Sequence, residues 1–158
     1  MRNFVTTVIL ALTILSCSTT RLNVPSAIGV VNLSHYAIKD TNNLSPDDLF
    51  MAITNENDFN NRFIATATGQ DLKTPNFNGQ IVLAVSLKQT NKQTTVQFDR
   101  AEIAGKNLNT YYTVREDDTT TTDAQRPTAV ATVPKSLSVR QVNFYNNGSL
   151  VKSVPVTF

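Results

Sequence analysis

The stretch Ile81-Val82-Leu83-Ala84-Val85-Ser86-Leu87 decides the fold. A strand with one wet face alternates apolar and polar residues, whereas this run is apolar throughout except at Ser86, the mark of a strand covered on both faces. Working outward, Thr94 to Ile103 sets Val96 and Phe98 against Gln97 and Asp99, a half-buried alternation. Gly105-Lys106-Asn107 reads as a turn and Leu108 to Arg115 as the returning strand. Asp117 to Arg126 is low-complexity and polar, and is expected to be an exposed, mobile loop. Thr128–Val133 and Leu137–Tyr145 read as two further strands. Asn147-Gly148 is the strongest short hairpin signal and joins Val142 and Phe144 to Leu150–Val156, with Pro155 placing that last strand at an edge.

On the N-terminal side, Ala27 to Ile38 is rich in β-branched and aromatic residues and reads as one strand or two short ones. Leu44-Ser45-Pro46-Asp47-Asp48 predicts a helix start, with Ser45 at N-cap, Pro46 at N1 and Asp48 at N3. Leu49, Phe50 and Ile53 would form its apolar stripe, and it would end near Thr54 or Asn55. Asn55 to Asn61 reads as a loop or a second helical turn, with Phe59 and Phe63 facing inward. The expectation is a mostly β, β-sandwich-like antiparallel domain over residues 27–158, with one short helix packed against it.

The composition suits this. The chain of 158 residues holds 22 Thr and 17 Asn, and Thr suits strands while Asn suits turns. One Cys, one His and 5 Gly leave no disulfide framework, no Cys/His zinc site and no glycine-rich phosphate cradle. A net charge of +2 gives no reason to expect a nucleic-acid partner.

The N-terminus carries the most specific signal. Met1-Arg2-Asn3 precedes Phe4–Leu15, an apolar run of 12 residues broken only by threonines. A membrane-spanning helix needs about 20 apolar residues, so this run has instead the length of a signal-peptide core. Its end, Ile14-Leu15-Ser16-Cys17, resembles the bacterial lipobox, and the chain's only Cys falls at the required position. The resemblance implies a signal peptide over residues 1–16, cleavage before Cys17, and acyl chains such as palmitate on Cys17. Residues 17–26 would be the acylated Cys and its tether. Each buried methylene adds about 0.8 kcal/mol, so several chains anchor firmly. Ser18 and Thr19 follow the Cys, without the Asp that retains lipoproteins at the inner membrane, which implies an outer-membrane location, periplasmic or surface-facing.

Among groups that could carry chemistry, His35 in Leu33-Ser34-His35-Tyr36 is the only histidine and falls within an expected strand, with no nucleophile motif around it. Asp99 with Glu102, or Glu116 with Asp117, offers carboxylate pairs for hydrolysis, but nothing selects them. Asn55, Asn57 and Asp58, and again Asp117, Asp118 and Asp123, bring oxygen ligands close in sequence without an EF-hand's central Gly and terminal Glu. No catalytic residue, cofactor or metal is therefore assigned. The Asn-x-Ser sequons at Asn32, Asn43 and Asn147 are chance matches in a bacterial chain. Asp118-Thr119-Thr120 resembles the O-glycosylation acceptor of Bacteroidetes-type bacteria. Tyr111, Tyr112 and Tyr145 lie on strands; adjacent Tyr111 and Tyr112 point to opposite faces, so at most one is core, and an exposed Tyr suits a protein contact.

The order of segments, Asp47–Ile53, Phe59 and Phe63, Pro75-Asn76-Phe77 before Ile81–Val85, then Pro127–Lys135 before Val139–Phe144, is similar to the C-terminal domain of the B-type component of protease complexes. That is a β-rich domain of bacterial lipoproteins which stabilises a partner protease. The likeness spans about residues 34–146. The family's Gly-Gly-Tyr should fall near Gln93-Thr94-Thr95 and is absent, so no functional residue is carried over. Together these readings point to a non-enzymatic, membrane-anchored lipoprotein that binds or stabilises a protein partner in the cell envelope. The alternatives are a surface glycan- or matrix-associated structural lipoprotein and, third, a carboxylate-dependent hydrolase.

Overall fold

The structure is a computed structural model that describes residues 24–39, 46–67 and 72–158. Its strands are β1 (Ser26–Ile28), β2 (Val31–Leu33), β3 (Tyr36–Ile38), β4 (Leu49–Ile53), β5 (Phe63–Ala65), β6 (Gln80–Ser86), β7 (Thr90–Ala104), β8 (Asn107–Gln125), β9 (Thr128–Pro134), β10 (Gln141–Asn146) and β11 (Ser149–Pro155). The single helix among the described residues is α1 (Glu56–Arg62). A five-stranded sheet in the order β1-β7-β8-β10-β11 faces a four-stranded sheet in the order β2-β9-β6-β4, and β3 pairs with β5 in a third, two-stranded sheet. The domain is a mostly β sandwich with one helix packed on it. All pairings among the described strands are antiparallel except β8 with β10, which run parallel. No helix among the described residues is long and apolar enough to cross a membrane.

The decisive strand lies where its composition predicts. β6 sits between β9 and β4, and Ile81 to Ser86 are all buried. Ile81, Leu83 and Val85 point into the core between the two large sheets, against Phe98, Leu108, Tyr112, Val142 and Phe144. Val82 and Ala84 point the other way, into a second core closed by Phe59 of α1, Phe63 of β5 and Leu33 of β2. Phe59 gathers Tyr36, Phe63 and Phe77 at ring-centroid distances of 5.1, 5.2 and 5.8 Å. Each such buried ring contributes on the order of 1.5–3 kcal/mol. The middle sheet therefore has two dry faces, and a continuous apolar run is what such a strand requires.

Three expectations are corrected. Leu49, Phe50 and Ile53 are not a helical stripe; Leu49–Ile53 is strand β4, paired with β6 from Leu49↔Ser86 to Ile53↔Val82. Phe50 and Ala52 pack on one core while Met51 and Ile53 pack on the other, so burial on both sides overrides the local cap signal. Asp48 uses its carboxylate to accept from the Lys88 amide at 2.8 Å, tying β4 to the end of β6. The helix begins ten residues later than expected. Asn55 is its N-cap, with Oδ1 accepting from the Asp58 amide at 2.8 Å, Glu56 and Asp58 in the first turn and Arg62 in the last.

Asp117 to Gln125 is not a loop. It continues β8 as one arm of a ribbon with β7, paired at Thr94↔Glu116, Lys92↔Thr120 and Thr90↔Gln125 with register shifts between. The β-branched threonines hold the extended form, and the segment is exposed almost throughout, as its polarity requires. Asp118-Thr119-Thr120 thus lies on an exposed strand. Third, His35 stands between β2 and β3 rather than in a strand, at a positive φ of 68°, and is exposed. The Asn147-Gly148 turn has φ of 50° and 78° and joins β10 to β11, the edge strand that carries Pro155.

Candidate functional site: the outer face of the five-stranded sheet

Along β8, Leu108, Thr110 and Tyr112 point into the core, so Asn109, Tyr111 and Thr113 point outward. The parallel register Tyr145↔Tyr111 and the antiparallel registers Arg100↔Tyr111 and Tyr145↔Leu150 then align four outward residues in one cross-strand row: Arg100, Tyr111, Tyr145, Leu150. At about 4.8 Å between strands the row is about 14 Å long. The two tyrosine rings stack, with centroids 5.0 Å apart and planes 21° from parallel. The Arg100 guanidinium lies 3.5 Å from the other face of Tyr111. Leu150 at the end of the row is 53% exposed, and Val151 beside it 45%.

A second row runs beside the first. Asn109↔Glu102 and Asn143↔Asn109 place Glu102, Asn109, Asn143 and Ser153 across the same four strands. Asn143 donates through Nδ2 to Asn109 Oδ1 at 2.9 Å, and its own Oδ1 accepts from Gln141 Nε2 at 2.7 Å and Ser153 Oγ at 2.8 Å. Glu102 links the rows, accepting the Tyr111 hydroxyl at 2.7 Å and Arg100 at 3.2 Å. That hydrogen bond, with partial burial adding to it, holds the Tyr111 phenol above its ordinary pKa. The two rows are thus held in one geometry by their own stacking and hydrogen bonds.

The other groups to which the sequence points are dispersed. Asp99 sits at a bulge in β7 and accepts from Thr113 Oγ1, while Glu102 serves the Tyr111 row, so this carboxylate pair has separate partners. Glu116 pairs with Lys92 at 3.3 Å on the surface, and Asp117, its neighbour in β8, points to the opposite face. Asn55 and Asp58 hydrogen-bond to each other at the α1 cap. Among the described residues no group of three or more His, Cys, Asp or Glu could hold a metal ion. Tyr112 is buried between the sheets, and that burial, with the Asp48 charge second, pushes its phenol up to about 12. Cys17 and the leader lie outside the described residues.

Tyr111 and Tyr145 are both visible in the sequence as strand tyrosines, but their contact depends on the parallel β8–β10 pairing, which no local signal encodes. Arg100, Asn109, Asn143 and Leu150 carry no sequence signal of their own, and only register brings them together. Comparison with family models, curated proteins and solved structures finds no match for the chain.

Proposed function

We propose that the chain is a bacterial lipoprotein, anchored to the outer membrane through acyl chains on Cys17, whose β domain binds a protein partner in the cell envelope without catalysing a reaction. The anchor rests on Ile14-Leu15-Ser16-Cys17. From Cys17 to Ser26 is nine residues, which when extended reach at most about 30 Å. The tether is therefore long enough to hold the domain clear of lipid headgroups and short enough to keep it near them.

The Arg100–Tyr111–Tyr145–Leu150 row is the observation that carries the binding reading. Tyr and Arg dominate the energetically important positions of protein interfaces, and here they form a rigid ridge next to exposed apolar residues. A sugar ring stacks on an open aromatic face, but both faces of Tyr111 are covered, one by Arg100 and one by Tyr145. The ridge offers ring edges and hydroxyls instead, which suits a protein surface better than a glycan.

The experiment is capture from solubilised envelopes with the acylated protein, in wild-type form and as Tyr145→Ala. A stoichiometric protein recovered by the first and lost with the second supports the reading. Recovery only with polysaccharide, or equal recovery by the two forms, refutes it. Cys17→Ser should abolish membrane partitioning, and wild-type partitioning of that variant would sink the anchor.

A further inference from the structure

Among the described residues the four-stranded sheet ends at β4, and the β4 edge that no described strand pairs lies in a groove of about 500 Å³. All five β4 residues line it. One wall is Ile38 and Lys39 at the end of β3 together with Arg62 of α1, and the other is Val154 of β11. Lys152 lies two residues before Val154 on the same face of β11, since both pair with inward residues of β10, Phe144 and Val142. No backbone hydrogen bond from the described residues reaches β4 on this side. An open row of main-chain donors and acceptors is a template for one more strand. Its lining carries cations at Arg62 and at Lys39, whose ammonium donates to the Asn60 carbonyl, against one acid, Asp58, which already accepts from Asn55. The strand that fits is acidic.

This chain carries such a strand. β8 pairs with β10 only over Asn107–Tyr112, so the arm beyond Tyr112 keeps β7 on one side and has no described strand on the other. The arm holds Glu116, Asp117, Asp118 and Asp123, all exposed, with Arg115 its only cation. Along it Glu116 and Asp118 share one face and Asp117 takes the other. Asp118, on the face it shares with the Lys92-paired Glu116, is the acid that matches the wall carrying Lys39 and Arg62. The edge strands β1, β2 and β11 carry no carboxylate, and β11 carries Lys152, so none of them matches in this way.

We propose that the acidic β8 arm of one copy adds to the β4 edge of the next, extending the four-stranded sheet and joining copies head to tail. The donor and acceptor surfaces are different, so the contact is heterologous and leaves a free arm and a free groove at the ends of every open chain of copies. Copies confined by their anchors to one membrane meet at high effective concentration, which favours a contact too weak to persist in dilute solution. This goes beyond the partner-binding reading and uses neither tyrosine of the outer face.

Sedimentation equilibrium of the mature chain carrying Cys17→Ser, up to about 1 mM, tests it. The expected result is a weight-average mass that rises with concentration and falls back as salt increases from about 0.05 to 0.5 M, over which the screening length shrinks severalfold. Arg62→Glu alone and Asp118→Lys alone should each weaken association about fivefold, the effect of one exposed ion pair. The two together should restore it. Both are exposed-site changes, checked for an unaltered circular-dichroism spectrum. A single monomeric species at that concentration overturns the proposal. So does association that ignores both reversals, or a double variant no better than either single one. Tyr145→Ala should leave the association intact while abolishing partner capture, so failure of one reading is separable from failure of the other.

Discussion

Raising the pH through the Tyr112 titration should loosen the domain by a calculable amount. The Tyr112 ring is 3% exposed, within the core between the sheets, and its phenol is pushed from 10.0 up to about 12 by burial, with the Asp48 charge second. The sign follows from linkage. Below pH 10 both folded and unfolded chains keep the proton, and stability is untouched. Between 10 and 12 the unfolded chain releases its proton while the folded chain holds it, so stability falls as pH rises. Two units correspond to about 2.7 kcal/mol in full, of which about 1.9 kcal/mol is lost by pH 11.5. The assay is urea unfolding of the mature chain carrying Cys17→Ser, from pH 8 to 11.5, beside the same chain with Tyr112→Phe. The difference between the two curves isolates the Tyr112 hydroxyl from every other group. That difference should be flat to pH 9.5 and then close, or reverse, by about 2 kcal/mol by pH 11.5. Parallel curves throughout would refute the placement of Tyr112 in a dry interior.

Four further outcomes test the packing and turn arguments. Phe59→Ala removes the ring on which Tyr36, Phe63 and Phe77 converge and should cost about 3–5 kcal/mol, read as a lower urea midpoint. Gly148→Ala should cost about 1 kcal/mol, because its φ of +78° disfavours any Cβ although nothing lies within 4 Å of one. Gly79→Ala, equally open and not in the left-handed region, should instead stabilise by about 0.4–1 kcal/mol. A double-mutant cycle with Tyr111→Ala and Tyr145→Ala should give a coupling of about 0.5–1.5 kcal/mol; additive effects would mean that the stack does not persist in solution.

The parts of the fold legible in the sequence are those whose cause is local or is burial itself. Ile81–Leu87 announces a strand dry on both faces because no other environment tolerates so unbroken an apolar run. Asn147-Gly148 announces its hairpin because both residues accept positive φ, and Tyr111 next to Tyr112 announces one inward and one outward ring because strands alternate. Leu49–Ile53 misleads because a strand with both faces buried and an amphipathic helix differ little over five residues. Ser45-Pro46-Asp47-Asp48 then tips the reading toward helix, although the cap in use is Asn55. The polar arm misleads for the opposite reason. It has no apolar face to betray a strand, and its extended form depends on β7 alongside it.

The outer-face row shows a different limit. Each of Arg100, Tyr111, Tyr145 and Leu150 is individually ordinary on a half-exposed strand. Their alignment requires that β10, which follows β9 of the opposite sheet, return beside β8 in parallel and in the register Tyr145↔Tyr111. A shift of one residue would place Tyr145 beside the inward-facing Tyr112 position and dissolve both rows. Burial of Val142 and Phe144 sets that register: their side chains must enter the core with Leu108 and Thr110, which obliges Asn143 and Tyr145 to stand outside with Asn109 and Tyr111. The exposed surface is thus fixed by the buried one, and the tyrosines meet because the valine and phenylalanine beside Asn143 have only one dry place to go.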